Sequence, residues 1–301
     1  MPLFKNTNSC LTIIKEKSID LERDIQQLAE TNLDKVFNLE FVSSEFSLHN
    51  FRIDTLAFDK ETNSFIIIEF KRDRSFSVID QGYAYLALML NNKSDFILEY
   101  NEKTNKNLKR DDIDWSQSRV MFVANSFTSY QMNAINFKDL PIELWEVKVY
   151  DNDVILFNQM LPQDSTASIK TITKNKSIDS VSGEVKVYSL EDHLNVESNM
   201  KELFYALREK ILALSDSIEE RPKKHYIAYR VRNTFAYVHV QQSKIKIHMT
   251  ISKDKIKDPK CIVRDVAGIG HLGGGQLEVV LDSMENLNYV FDLVEQSYKA
   301  L

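Results

Sequence analysis

Glycine is scarce in this chain: 301 residues hold seven, about 2% against an average of roughly 7%. Five prolines and a hydrophobic share of 43% exclude collagen-like, low-complexity and wholly disordered classes. No apolar run reaches the ~18 residues of a membrane-spanning helix. The first residues, MPLFKNTNSCLTIIKEK, lack the long apolar stretch and small-residue cleavage site of a secretory signal. The two cysteines, Cys10 and Cys261, stand far apart with no CxxC partner and read as reduced thiols. Together these absences predict a soluble, cytoplasmic protein. Its length suggests about two domains of ~150 residues, each able to bury a core.

Charge is present but unevenly spread. The net charge is −6, yet residues 221–264 carry 12 basic side chains against only Asp254 and Asp258. Aromatics interleave there, among them Tyr226, Tyr229, Phe235 and Tyr237. A basic, aromatic-studded sheet face suits a nucleic-acid surface, and Lys223, Lys224, Arg230, Arg232, Lys244 and Lys246 are its candidates, with Arg72 and Arg74 upstream. A lysine-rich solvated face that protects sheet edges is the bland alternative.

Periodicity predicts an α/β first domain over 1–160, a linker over 161–183 and an α+β domain over 184–301. A helix over 21–33 shows an apolar stripe of Leu21, Ile25, Leu28 and Ala29. Three strands follow at 39–46, 51–58 and 64–71, then a helix over 77–92 opened by Ser77 and Asp80. Residues 94–100 and 119–124 read as short buried strands, 127–137 as a short helix, and 144–157 as a hairpin turning at Asp151-Asn152-Asp153. Beyond the Ser/Thr/Lys/Asn-rich linker comes an amphipathic helix over 197–216. Strands at 225–231, 235–241, 244–251, 261–266 and 276–281 and a helix over 285–299 complete the chain.

Chemistry concentrates in FRIDTLAFDKETNSFIIIEFKR, residues 51–72. Alternation puts Glu69 and Lys71 on one strand face behind Phe65 and Ile67, with Ile66, Ile68 and Phe70 on the other. A carboxylate and an ammonium emerging from an apolar strand are costly to bury without a partner or a metal. With Asp54 on the preceding strand, they supply what phosphodiester hydrolysis needs. Hard oxygen ligands suit Mg²⁺, which acidifies a bound water, and a lysine orients that water or stabilises developing charge. Glu22 on the helix before these strands is placed to reach the same sheet face. Gln81 and Tyr85 lie four apart on the helix after them.

This constellation resembles the PD-(D/E)XK nuclease superfamily over about residues 15–125, and Gln81-x-x-x-Tyr85 resembles the QxxxY motif of its RecB-like branch. The resemblance implies a restriction-endonuclease-like mixed sheet flanked by helices. It implies that Asp54 and Glu69 bind one or two Mg²⁺ (or Mn²⁺), with the Phe70 carbonyl as a further ligand. By the same resemblance Lys71 assists the attacking water, Glu22 completes the metal site and Gln81 positions substrate or water. Ile53 stands where the superfamily motif has proline. The ending from Asp265 onward, DVAGIGHLGGGQLEVVL and LNYVFDLVEQSY, resembles a small C-terminal domain of unknown function that follows such nucleases in bacterial proteins. A restriction or phage-defence setting is what that architecture implies.

Five of the seven glycines fall between 268 and 275. Gly268-Ile-Gly270-His-Leu-Gly273 spells GxGxxG, but the alternating QLEVVL after it reads as a strand, so a dinucleotide fold is not expected. A loop between two strands that needs positive φ or close backbone approach is the better reading. Such a loop can still hold an anion, with Gly268, Gly270, His271 and Gly273 as candidates and Asp265 beside them. The expected function is metal-dependent phosphodiester hydrolysis of nucleic acid, DNA above RNA. The alternatives are an inactive nuclease-fold adaptor that binds nucleic acid or protein, and a ligand sensor using the glycine loop. The oligomeric state stays open.

Overall fold

In the computed structural model, which describes residues 2–17, 22–71, 77–137, 139–161, 168 and 176–301, with side chains 22, 176 and 177 excepted, the chain divides into two units. They are Met1–Val187 and Tyr188–Leu301. The first unit opens with a hairpin of β1 (Leu3–Thr7) and β2 (Cys10–Ile14), followed by β3 (Glu16–Lys17). Then come α1 (Glu22–Thr31), α2 (Leu33–Val36), β4 (Glu40–Leu48), β5 (Phe51–Asp59), β6 (Ser64–Lys71), α3 (Val78–Asn91) and α4 (Lys93–Thr104). It closes with β7 (Arg119–Ala124), α5 (Ser129–Ala134), β8 (Ile142–Tyr150), β9 (Val154–Met160) and α6 (Lys176–Glu184).

Its sheet is mixed, in the order β3-β8-β7-β6-β5-β4 with β9 pairing β8. β4, β5 and β6 run antiparallel, whereas β6, β7 and β8 run parallel. A parallel step needs a long crossover, and α3 and α4 supply it between β6 and β7. Every residue of β6 from Ser64 to Phe70 is buried, so both faces of the sheet must be covered. Phe65 and Ile67 pack with Tyr83, Leu86, Met89 and Phe96 of α3 and α4. On the other side Ile66, Ile68 and Phe70 pack with Ile25, Ala29 and Leu33 of α1 and α2.

The segment expected as a strand at 94–100 is helical. Phe96 and Tyr100 are four apart and both buried, meeting the rings of Phe58 and Phe65; helical spacing serves that burial and alternation would not. The segment expected as a linker, 161–183, ends in α6. Ile178, Val181 and Val185 recur at helical spacing and enter the first unit's core, so that unit runs to Val187. The hairpin of β8 and β9 turns through Asn152 at φ 63°, where asparagine tolerates the left-handed region.

The second unit comprises α7 (Ser198–Leu212), β10 (Glu219–Pro222), β11 (Ile227–Arg230), β12 (Thr234–Val240), β13 (Ile245–Met249), β14 (Arg264–Asp265), β15 (Leu277–Leu281) and α8 (Leu287–Lys299). Its six strands are antiparallel in the order β10-β11-β12-β13-β15-β14. Leu203, Phe204 and Leu207 of α7 and Val290, Leu293 and Val294 of α8 cover one face; each such side chain contributes ~1.5–3 kcal/mol on burial. The strand expected over 261–266 is formed only by Arg264 and Asp265, both exposed at the sheet edge. Among the described residues no helix is long and apolar enough to cross a membrane. Both cysteines are free and exposed.

Candidate active site

The site is built where the first sheet forks. β5 and β6 pair from Asp59↔Ser64 to Thr55↔Ile68, and the ladder stops there. β5 runs on along β4, while β6 runs on along β7 to Lys71↔Ala124. At the fork a side chain replaces the missing backbone partner: the Phe70 amide donates to Asp54 Oδ2 at 2.8 Å. The hairpin register that sets this is fixed at its other end, where Asp59 accepts from the amides of Glu61 and Thr62.

Glu69 is 4% exposed. Its Oε1 accepts from Lys71 Nζ at 2.6 Å and from Gln81 Nε2 at 3.2 Å. Its Oε2 is buried with no hydrogen-bond partner among the described residues. Gln81 Nε2 also lies 3.3 Å from the Tyr85 hydroxyl, which in turn donates to the Arg52 carbonyl at 3.4 Å. Burial, and then the Glu69 charge beside it, push the Tyr85 phenol far above its ordinary pKa and keep it neutral. Gly82 brings α3 this close to the sheet: a Cβ there would lie 2.4 Å from the Ile142 side chain. Ser77 caps the helix, accepting from the Asp80 amide.

Asp54, Glu69, Lys71, Gln81 and Tyr85 are thus brought together by β5, β6 and α3. Glu22 is the first residue of α1; its side chain lies outside the described residues, as do Arg72 and Arg74. Ile25 and Ala29 of α1 pack on the face of Ile66, Ile68 and Phe70, because β6 is apolar on both sides and each side needs a helix; the expected reach of Glu22 to the Glu69 face falls on a side chain outside the described residues.

What α1 does supply is Gln26, which sequence reasoning missed. It is 7% exposed, and its Nε2 lies 3.0 Å from the Asp54 carbonyl, 3.2 Å from Ser44 Oγ and 3.0 Å from Glu30 Oε1. An open cleft of about 740 Å³ beside it is lined by Arg23, Gln26, Glu30, Glu45, Arg52 and Asp54. The available signal was a glutamine on the buried stripe of α1, three residues from Ala29 and beside Ile25.

Two carboxylates, one with an unpartnered buried oxygen, and an adjacent main-chain carbonyl are hard-oxygen donors. They fit a divalent cation that keeps several waters. Among the described residues no group of three or more His, Cys, Asp or Glu side chains is arranged to hold a metal.

The basic candidates of the second unit do not form one free surface. Arg230 pairs with Glu219 and Lys246 with Glu278. Lys223, Lys224 and Arg232 also have partners, and Lys244 sits half-buried just before β13. The glycine loop joins β14 to β15. Of the four loop candidates, Gly268 and Gly270 would meet nothing with an added Cβ, Gly273 has φ +81° against Tyr237, and His271 Nδ1 bonds the Ile269 carbonyl. Asp265 is exposed, accepting from the Ala267 amide.

Residues 190–300 match a family described as a domain of unknown function (DUF5655). A protein of Haemophilus influenzae described as uncharacterized is 43% identical over 301 residues, covering 99% of this chain and 100% of that one. Two solved structures are similar over 38% of this chain, each with a TM-score of 0.21. One is the EndoMS-dsDNA2 complex, at 19% identity over 40% of that chain. The other is a repair endonuclease from Pyrococcus abyssi, at 17% identity over 42% of that chain. The matched region thus spans less than half of either.

Proposed function

We propose, for this chain, which belongs to the family of the uncharacterized Haemophilus influenzae protein, that its first unit hydrolyses phosphodiester bonds of nucleic acid, with DNA as the expected substrate, in a divalent-metal-dependent reaction. The observation that carries this reading is the buried Glu69 carboxylate, with one oxygen on Lys71 and Gln81 and the other without a partner among the described residues. Nothing in fold stability calls for that free oxygen; a buried acceptor left unmade costs ~1–3 kcal/mol. A cation would offset that cost.

Asp54 and Glu69, with the Phe70 carbonyl and Glu22 from α1, would hold Mg²⁺ or Mn²⁺, which supplies an acidified water and neutralises charge on the phosphodiester. Asp54 is held for this by the Phe70 amide. The Lys71 ammonium, fixed on Glu69 at 2.6 Å, orients the attacking water and stabilises negative charge as it grows on phosphate oxygen. Gln81 keeps Glu69 Oε1 occupied and so holds the carboxylate in one rotamer. The neutral Tyr85 hydroxyl accepts from Gln81 Nε2 and helps to hold that amide in place. Asp54→Ala should abolish, and Lys71→Ala should lower by about 10³-fold, cutting by the purified full chain of single- and double-stranded DNA and RNA with Mg²⁺ or Mn²⁺. Survival of every substrate in both metals, or equal cutting by these variants, overturns the reading.

A further inference from the structure

The second unit carries a polar row that the nuclease reading does not use. Register aligns Ala228↔Tyr237, Tyr237↔His248, His248↔Glu278 and Arg264↔Glu278 across five adjacent strands. One step along, His239↔Lys246 lies on the same side. This face is the one not covered by α7 and α8: Tyr226, Ala228 and Tyr237 form a small cluster apart from the main core. Here His248 is 3% exposed and Glu278 8%.

The contacts count the protons. His239 Nδ1 lies 3.1 Å from the His225 carbonyl, which only accepts, so that nitrogen carries a hydrogen. His248 Nε2 lies 3.1 Å from Glu278 Oε2, and the carboxylate also bonds Lys246 and pairs with Arg264, which keeps it ionised. Its pKa lies below the ordinary value: burial opposes this, and the His248 and Lys246 contacts outweigh it. His248 Nε2 is therefore the donor. Between His248 Nδ1 and His239 Nε2, 3.1 Å apart, a hydrogen bond then requires one proton beyond two neutral imidazoles. Burial, first, holds both histidines below their usual pKa, His239 at about 4. At neutral pH the chain from Glu278 to His239 is one proton short. Tyr226, Tyr237, Lys246, Arg264, His193 and His271 are the other titratable or charged groups around the pair.

The glycine loop lies directly on this row. A Cβ on Gly274 would come 2.5 Å from the Tyr237 hydroxyl, and one on Gly275 (φ +107°) 3.0 Å from the Met249 carbonyl. The His271 ring sits 4.5 Å from that of His248. Its Nδ1 bonds the Ile269 carbonyl, which leaves Nε2 buried and without a partner among the described residues. Backbone bonds hold the loop at its two ends, Ile269 N to the Val266 carbonyl and Gln276 N to the Met249 carbonyl. A glycine-rich loop, two cations against one carboxylate and a proton vacancy meet on one sheet face.

We propose that this loop and row bind the phosphate monoester group of a ligand on the Gly270–Gly275 amides and His271, and that binding draws a proton onto the His239–His248 pair. A phosphate monoester suits both features, being a multiply charged acceptor that exchanges its second proton near pH ~6. Two sources share this chemistry, a free mononucleotide and the 5′-phosphorylated end of a nucleic-acid strand.

Calorimetric titration of the full chain at neutral pH, in EDTA and in two buffers of different ionisation enthalpy, tests the proposal. The probes are inorganic phosphate, a 5′-mononucleotide, and one oligonucleotide with and without its 5′-phosphate. Expected are binding that requires the phosphate, uptake of about one proton, a loss of at least ~10-fold in affinity for His271→Ala, and no uptake for His239→Gln. Mononucleotide binding as tight as the oligonucleotide's assigns the free nucleotide, and binding of the phosphorylated oligonucleotide alone assigns the strand end. Equal binding with and without 5′-phosphate and no heat from the small probes, or wild-type affinity in His271→Ala, overturns the proposal. His271 lies in the loop, outside every strand and helix, so its variant tests the site even where His239→Gln fails to fold. EDTA removes metal chemistry, so failure here leaves the cleavage reading standing.

Discussion

Each unit buries one glutamate on a strand beside a lysine, and the two are finished differently. Glu69 has Lys71 and Gln81 on one oxygen and, among the described residues, nothing on the other. Glu278 is met by His248 and Lys246 on one oxygen and Arg264 near the other. Saturation makes Glu278 an internal counter-ion whose charge is spent on its neighbours, suited to holding cationic side chains and a proton chain. The vacancy at Glu69 keeps a desolvated charge for something that arrives from solution.

The sharpest way to break this comparison is at the lysines. Lys71→Ala should cut cleavage by about 10³-fold, as loss of a charge-stabilising donor does elsewhere, measured in single-turnover assays with Mg²⁺. Lys246→Met should leave cleavage unchanged. Next in size, Glu278→Gln should destabilise the fold by ~2 kcal/mol, since it removes the charged acceptor that the buried His248 and the half-buried Lys246 share, whereas Glu69→Gln should be neutral or stabilising by up to ~1 kcal/mol in metal-free protein. Urea unfolding of the full chain, followed separately for each unit's transition, reads both.

Protonation sharpens the contrast further. The half-buried His239 is held at about 4 in the folded chain against 6.5 in the unfolded one. As pH falls between those values the unfolded chain takes a proton that the folded chain refuses. Stability of the second unit is therefore full above pH 6.5 and lost by on the order of 2 kcal/mol as pH drops to about 4. Melting curves across that range should show the slope, and His239→Gln should flatten it. Smallest is the cation effect: Mg²⁺ at tenfold its dissociation constant should stabilise the first unit by ~1.4 kcal/mol, and Glu69→Gln should remove the shift.

Much of the first site was legible because strand alternation and helical spacing are local rules. Glu69 and Lys71 share a face by period two, and Gln81 and Tyr85 by spacing four. Gln26 was not legible as a functional residue, because its partners on β4 and β5 are remote in sequence. Residues 94–100 were misread since a short apolar run fits either period until Phe96 and Tyr100 have a core to face. In the second unit the tyrosines, histidines and glycines were each visible, but their row was not, because antiparallel register between distant strands sets it.

By itself the sequence determined the strands β4 to β9, β11 to β13 and β15, which of their side chains share a face, and where backbone freedom is concentrated, since those follow from spacing and from the rarity of glycine. Tertiary structure decided that the sheet forks between Asp54 and Glu69, that α1 covers the opposite face, and that the glycine cluster lies on a row of histidines. Those outcomes depend on register and on both faces of a buried sheet needing cover, which no local pattern specifies.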